Sequence, residues 1–371
     1  MWGQRIQNLN NEYPIPDIRE IIQDHYGFLW FATINGIVRY DGYHYEHYLP
    51  GEEPTKLNGR YVESLLEDSN GRIWVGLKKG VGLEVFNRNT EVFTNVCLTN
   101  PKTDTCYTAV DVYTIKEDLD HTLWIGTNDG LIHFDPDKLL TIHHFQYDAS
   151  NPSSFNDDHA LEIGVAENNT VWVGSRNGIN KYDRKTNSFI NSKVNPNYLK
   201  GQILDIIFSK DGELIISGRH TPERLYQYIV ETDSFKSFLK FDQTVNNYLK
   251  FDLDQDGNGI YGTRGFSAGH ISIDLQTTTT LSKEQSMHHG YSGQWIQDVL
   301  YDKYGNGWLT GQGAFYQPST GKVIQHIPGN GYPVRSIHTI GQDVLYSLDI
   351  PYVWSFETKK SRPWWTFPEL K

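Results

Sequence analysis

The chain has 371 residues and a formal net charge of −12, so no overall basic field marks it as a nucleic-acid binder. Aromatic residues make up 13%, glycines number 33 and cysteines only two, a composition suited to many short strands joined by tight turns. No run of about 18 apolar residues exists to insert into a membrane, and Met1 to Arg5 opens without the apolar core of a signal peptide.

In chain order, a short segment of strand character, residues 4–9, precedes several copies of one pattern. An alternating apolar run ends in an acidic residue and a glycine turn. An aromatic-rich strand then closes on a small residue. After a second glycine turn, a third strand ends in an aromatic residue, and a fourth, outer strand follows. The clear copies run over Ile18–Tyr40, Val62–Phe86, Val112–Phe134 and Ala160–Tyr182, with Trp30, Trp74, Trp124 and Trp172 at the same place in each. Looser copies put Ile215, Ile260, Trp308 and Leu345 at that place, which gives a marker spacing of 37 to 50 residues. Four strands per copy at this period predict a propeller, and the two-residue alternation excludes helical repeats.

The fold class is therefore all-β, a single β-propeller domain of four-stranded blades. The blades are expected near residues 17–48, 61–94, 110–145, 159–190, 202–238, 247–281, 295–327 and 333–367. Eight blades follow if the last copy is a full blade, and seven if it is an extension; the count of copies favours eight. Residues 4–9 are a candidate for the strand that closes the ring. The markers are expected to fill the inter-blade core, at about 2–3 kcal/mol of burial each.

Cys97 and Cys106 flank a polar, proline-containing segment between the second and third copies. They form either a disulfide closing a short loop or two free thiols, and the spacing leans to the disulfide. Asp252, Asp254 and Asp256 copy the start of a calcium loop, but Thr263 stands where the loop's final acid belongs. Otherwise neither a cofactor nor a metal site is expected. His143–His144 and His288–His289 lack metal-site partners at useful spacing, and no nucleophile elbow, zinc-protease or phosphate-loop motif is present.

Residues 23–48, QDHYGFLWFATINGIVRYDGYHYEHY, resemble the two-component regulator propeller repeat, with its pattern D-x-x-G-x-[LI]-W-[IVF]-G-T-x-x-G. The resemblance covers residues 18 to about 326 well and reaches about 356 more weakly. It implies a periplasmic or extracellular sensor domain, coupled to a histidine kinase or similar output and often responding to oligosaccharides. It also implies dimerisation through output modules outside this chain. No kinase glycine-rich loop or receiver-like βα pattern occurs in the sequence, so the chain is either an excised sensor domain or a stand-alone propeller.

A propeller's central mouth is built by the turns between second and third strands and by the loops entering the innermost strands. The turns offer Lys78, Lys79, Arg176, Arg219, His220 and Arg264, with arginine in three successive copies. The entry loops offer Arg19, Tyr61, Asp111, His159, Gln202, Tyr248, Trp295 and Arg335. Arginine forks match carboxylate and sulfate geometry, and aromatic rings there can stack on sugars. The bland alternatives are salt bridges between neighbouring loops and tyrosines that plug the channel. The favoured function is a sensor or recognition module for an acidic oligosaccharide, with Lys78, Lys79, Arg176, Arg219, His220, Arg264, Trp295 and Arg335 as ligand-binding candidates. The first alternative is a polysaccharide lyase acting on uronic-acid glycans, with His159, His220 and Tyr248 as candidate acid–base groups. The second is a protein-interaction propeller.

Overall fold

A computed structural model describes residues 17–40, 45–100, 103, 105–107, 110–190, 201–209, 211–219, 225–239, 249–254, 257, 259–263, 268–271, 278–280, 296–301, 307–311, 313–317, 336–340, 343–347, 351–355 and 360–363. Among these, the only helical segment is a single 3-10 turn, Val230–Thr232. The predicted copies all become antiparallel sheets whose strands pair in sequence order. Their innermost strands are Ile18–Gln23, Val62–Glu67, Val112–Glu117, Ala160–Val165, Gln202–Phe208, Leu249–Leu253, Ile296–Tyr301 and Ser336–Ile340.

The innermost strands of the first seven sheets pack side by side in chain order, and the seventh packs back against the first. The N–H of Ile21 donates to Asp298 Oδ2 at 3.1 Å across that seam. The cycle therefore has seven members, and the expectation of eight gives way to the alternative of seven; the eighth sheet stands outside the cycle. The repeat period counts copies, whereas closure depends on which strand meets Ile18–Gln23. The seventh sheet has three described strands, and residues 4–9 lie outside the described residues.

Burial explains the repeat pattern. Trp30, Trp74 and Trp124 are fully buried, Trp172 nearly so, and Ile215 and Ile260 take the same place in the fifth and sixth sheets. The acid six residues before the tryptophan satisfies its indole: Trp30, Trp74 and Trp124 each donate from Nε1 to Asp24, Asp68 and Asp118 at 2.7 Å. The small residue after the marker is where the next blade presses in. A Cβ on Gly76 would stand 2.7 Å from Val112, and one on Gly262 2.3 Å from Ile296. At these two strand positions glycine leaves the space that the neighbouring blade's side chain fills. Cys97 and Cys106 form a disulfide that ties the short hairpin of Thr99–Asn100 and Thr105–Cys106. Closing so short a loop restricts the unfolded chain by about 2–3 kcal/mol in the entropic account.

One core position is poorly matched. Glu84 is fully buried, with Oε1 accepting the N–H of Asn58 at 2.9 Å and Oε2 without a partner. Burial raises its carboxyl above the ordinary range. The fourth sheet solves the same problem with Asn180, which accepts the N–H of Asn156 at 3.1 Å and donates to Asn156 Oδ1 at 2.9 Å and the Val173 carbonyl at 3.0 Å. Replacing Glu84 with asparagine is expected to raise stability at neutral pH by about 1–3 kcal/mol. An acid raised in the folded state loses stability as pH climbs from its unfolded value towards its folded value. The gain is thus expected at pH 8 and absent near pH 4, and denaturant melts at the two values check it.

Candidate functional site

The innermost strands carry the site. In six of the seven ring sheets the pairing of first and second strands slips after the first one or two residues. The extra residue is Arg19, Glu63, Tyr113, Leu161, Leu204 or Gln297. A bulge of this kind re-aims one side chain out of the ladder. All six line a single cavity of about 460 Å³ at the centre of the ring.

The turns between second and third strands add Lys78, Arg176 and Arg219 to the same cavity. Lys78 is spoken for: its Nζ lies 2.6 Å from Glu63 Oε1 and 4.9 Å from the centre of the Tyr113 ring. Arg19 stands 4.0 Å from the same Glu63. Among the described residues, Arg176 and Arg219 have no carboxylate within ion-pair distance. Arg176 is exposed and Arg219 half-buried. Guanidinium groups on one concave surface, with no described carboxylate beside them, offer hydrogen-bond forks that match carboxylate or sulfate geometry.

One residue deeper, the lining turns acidic. Glu20, Glu162 and Asp298 face the cavity with Lys250, while Asp205 and Lys116 stand behind them. Each carboxylate has structural work. Glu20 Oε2 accepts the N–H of Leu65 at 2.5 Å, and Asp205 Oδ2 accepts that of Phe251 at 3.0 Å. With the Asp298 bond to Ile21, these are staples from one blade's inner strand to the next. Lys250 Nζ bridges Glu162 at 3.0 Å and Asp205 at 3.3 Å. Burial raises Glu20, Asp205 and Asp298 against the lysines that favour their charged forms. Burial pulls Lys116 down, but Glu162 and Glu20 hold it above its ordinary value.

The sequence-derived candidates sort as follows. Lys78, Arg176, Arg219 and Arg19 reach the cavity, as does Gln202. Lys79 stands beside it, with Nζ 5.4 Å from the centre of the Tyr61 ring. His159 does not line the cavity: its Nδ1 lies 3.2 Å from Asp157, and its ring stacks 6.3 Å from that of Tyr113. Tyr61 and Asp111 likewise do not line it; both sit two residues too early, and their carbonyls receive turn N–H groups of Lys78 and Asn128. His220, Tyr248, Arg264, Trp295, Arg335 and Asp256 lie outside the described residues. Asp252 lies in the inner strand of the sixth sheet, where its Oδ2 accepts the N–H of Tyr301 at 2.6 Å and Oδ1 that of Leu253 at 2.9 Å. Burial pushes its carboxyl up to about 7.

The acidic layer is what the sequence search missed, although a signal exists. Four inner strands carry near their start an apolar residue, any residue, then an acid: Ile18 to Glu20, Ala160 to Glu162, Ile203 to Asp205 and Ile296 to Asp298.

Against known proteins, residues 56–79 match the two component regulator propeller family. No curated protein sequence matches the chain. The extracellular domain of the putative hybrid two component system BT3049 from B. thetaiotaomicron superposes with a TM-score of 0.67 at 19% identity, over 97% of this chain and 49% of that one. The extracellular domain of the putative hybrid two component system BT4673 from the same organism gives 0.67 at 17%, over 97% and 47%. Catalytically inactive virginiamycin B lyase from Staphylococcus aureus with quinupristin gives 0.64 at 11%, over 84% and 98%. The chain thus spans about half the length of the extracellular domains it resembles. Residues 56–79 are thus similar to the two component regulator propeller repeat, and the fold around them is the β-propeller.

Proposed function

We propose that this propeller is the ligand-binding part of an extracytoplasmic sensor and that its central mouth takes an acidic oligosaccharide. One observation carries the proposal: Arg176 and Arg219, unpaired with any described carboxylate, line the same cavity as Arg19 and Lys78 in a chain of net charge −12. Each charge-assisted hydrogen bond from such a group is worth about 1.5–3 kcal/mol. A periplasmic or extracellular setting agrees with the Cys97–Cys106 disulfide and with the extracellular domains that share the fold. Coupling to a kinase-type output, and dimerisation through it, belong to segments outside this chain.

Titration calorimetry against uronic-acid, sulfated and neutral oligosaccharides of equal length tests the proposal. Acidic oligomers are expected to bind, neutral ones to bind at least tenfold more weakly, and affinity to fall as salt rises because the mouth is open to solvent. A preference for neutral sugars removes the proposal. Release of unsaturated, ultraviolet-absorbing products from a uronate polymer shows a lyase instead.

A further inference from the structure

The turn between second and third strands differs in the second sheet. In the first, third and fourth sheets two residues separate the small strand-ending residue from the glycine that opens the third strand, as between Thr33 and Gly36. In the second sheet four separate Leu77 from Gly82. Within this longer turn Lys79 adopts a φ of 65°, the left-handed region that costs a lysine energy. Its Nζ lies 5.4 Å from the centre of the Tyr61 ring, and the guanidinium carbon of Arg60 lies 5.6 Å from the same ring. Arg60 also donates to Asn35 Oδ1 at 3.0 Å. No described carboxylate lies within ion-pair distance of Arg60 or Lys79. Two like charges are therefore gathered on one aromatic ring, with no described residue of opposite sign within ion-pair distance of either. Lys78, the preceding residue, lines the central cavity, so this cluster adjoins it.

We infer that Arg60, Tyr61 and Lys79 form a second anion subsite, and that the ligand is a chain bearing acidic groups at intervals. It lies across the mouth from Arg219 and Arg176, past Tyr113 and Lys78, to Arg60 and Lys79. The inference rests on the acidic-oligosaccharide proposal and adds length and multiple charge to it. A single acidic sugar fills only the cavity; a longer one reaches the second cation pair.

The test uses the full chain and its Arg60→Gln, Lys79→Gln double variant, both surface changes that leave the core untouched. Calorimetry is run with galacturonic-acid oligomers and sulfated glycosaminoglycan fragments of two, four and six units. The wild type is expected to bind six units at least tenfold more tightly than two. The double variant is expected to lose that length dependence while keeping its affinity for two units. Equal loss at every length, or an unchanged length dependence, overturns the second subsite and leaves the central one standing. Failure of the wild type to bind any acidic oligomer removes the central proposal itself, and this inference with it.

Discussion

Replacing Asp24 with alanine is expected to destabilise the ring by about 3–5 kcal/mol, the range for stripping one partner from a buried charge pair. Asp24 is almost fully buried and saturated. Oδ1 accepts the N–H groups of Gly27 at 2.9 Å and Phe28 at 2.8 Å. Oδ2 accepts Trp30 Nε1 at 2.7 Å and Arg88 Nη1 at 2.9 Å. Alanine leaves the indole N–H of a fully buried tryptophan and an inter-blade guanidinium unsatisfied together. The chain supplies its own control. Arg184 of the fourth sheet meets Asp118 of the third as Arg88 of the second meets Asp24 of the first. Where the fourth sheet has Ala166 in place of the acid, the fifth has the exposed Val230 in place of the arginine. There acid and arginine are absent together, whereas Asp68 of the second sheet, which meets Pro136 of the third at the arginine's place, takes Arg72 of its own turn instead, with Nε at 2.6 Å. Urea unfolding of the alanine variant measures the loss. A change below about 1 kcal/mol would mean that water replaces the carboxylate in full.

The second large effect is on binding. Exchanging Arg176 and Arg219 for alanine together is expected to weaken an acidic oligosaccharide about 100-fold to 10,000-fold, from two charge-assisted bonds of about 1.5–3 kcal/mol each. Because neither guanidinium pairs with a described carboxylate, removing them strands no buried charge, and the melting temperature is expected to stay within about 2 °C. Calorimetry and a thermal melt on the same sample separate the two effects. Unchanged affinity in a folded variant would assign these arginines to solvation alone.

The blades are legible in the sequence because each repeats one packing demand: an acid, a turn glycine, a tryptophan and a small residue at fixed intervals. Asp68, Gly71, Trp74 and Gly76 are one such set. The turns of the mouth are legible for the same reason, since Lys78 and Arg176 stand two residues past that small residue, Gly76 or Gly174. The entry strands are less so. Their bulge shifts the cavity-facing side chain to Glu63 and Tyr113, two residues past Tyr61 and Asp111. Ring closure is not legible at all. It rests on a bond between Ile21 and Asp298, 277 residues apart, and nothing local in either strand names the other.

A crystal structure of the propeller with an acidic oligosaccharide bound shows most directly where an anion sits. The expected density places a carboxylate or sulfate within hydrogen-bond distance of both Arg176 and Arg219, inside the cavity that Arg19 and Tyr113 line. A ligand bound on the outer strands, or on the opposite face beside the Asp24 and Asp118 turns, would contradict it.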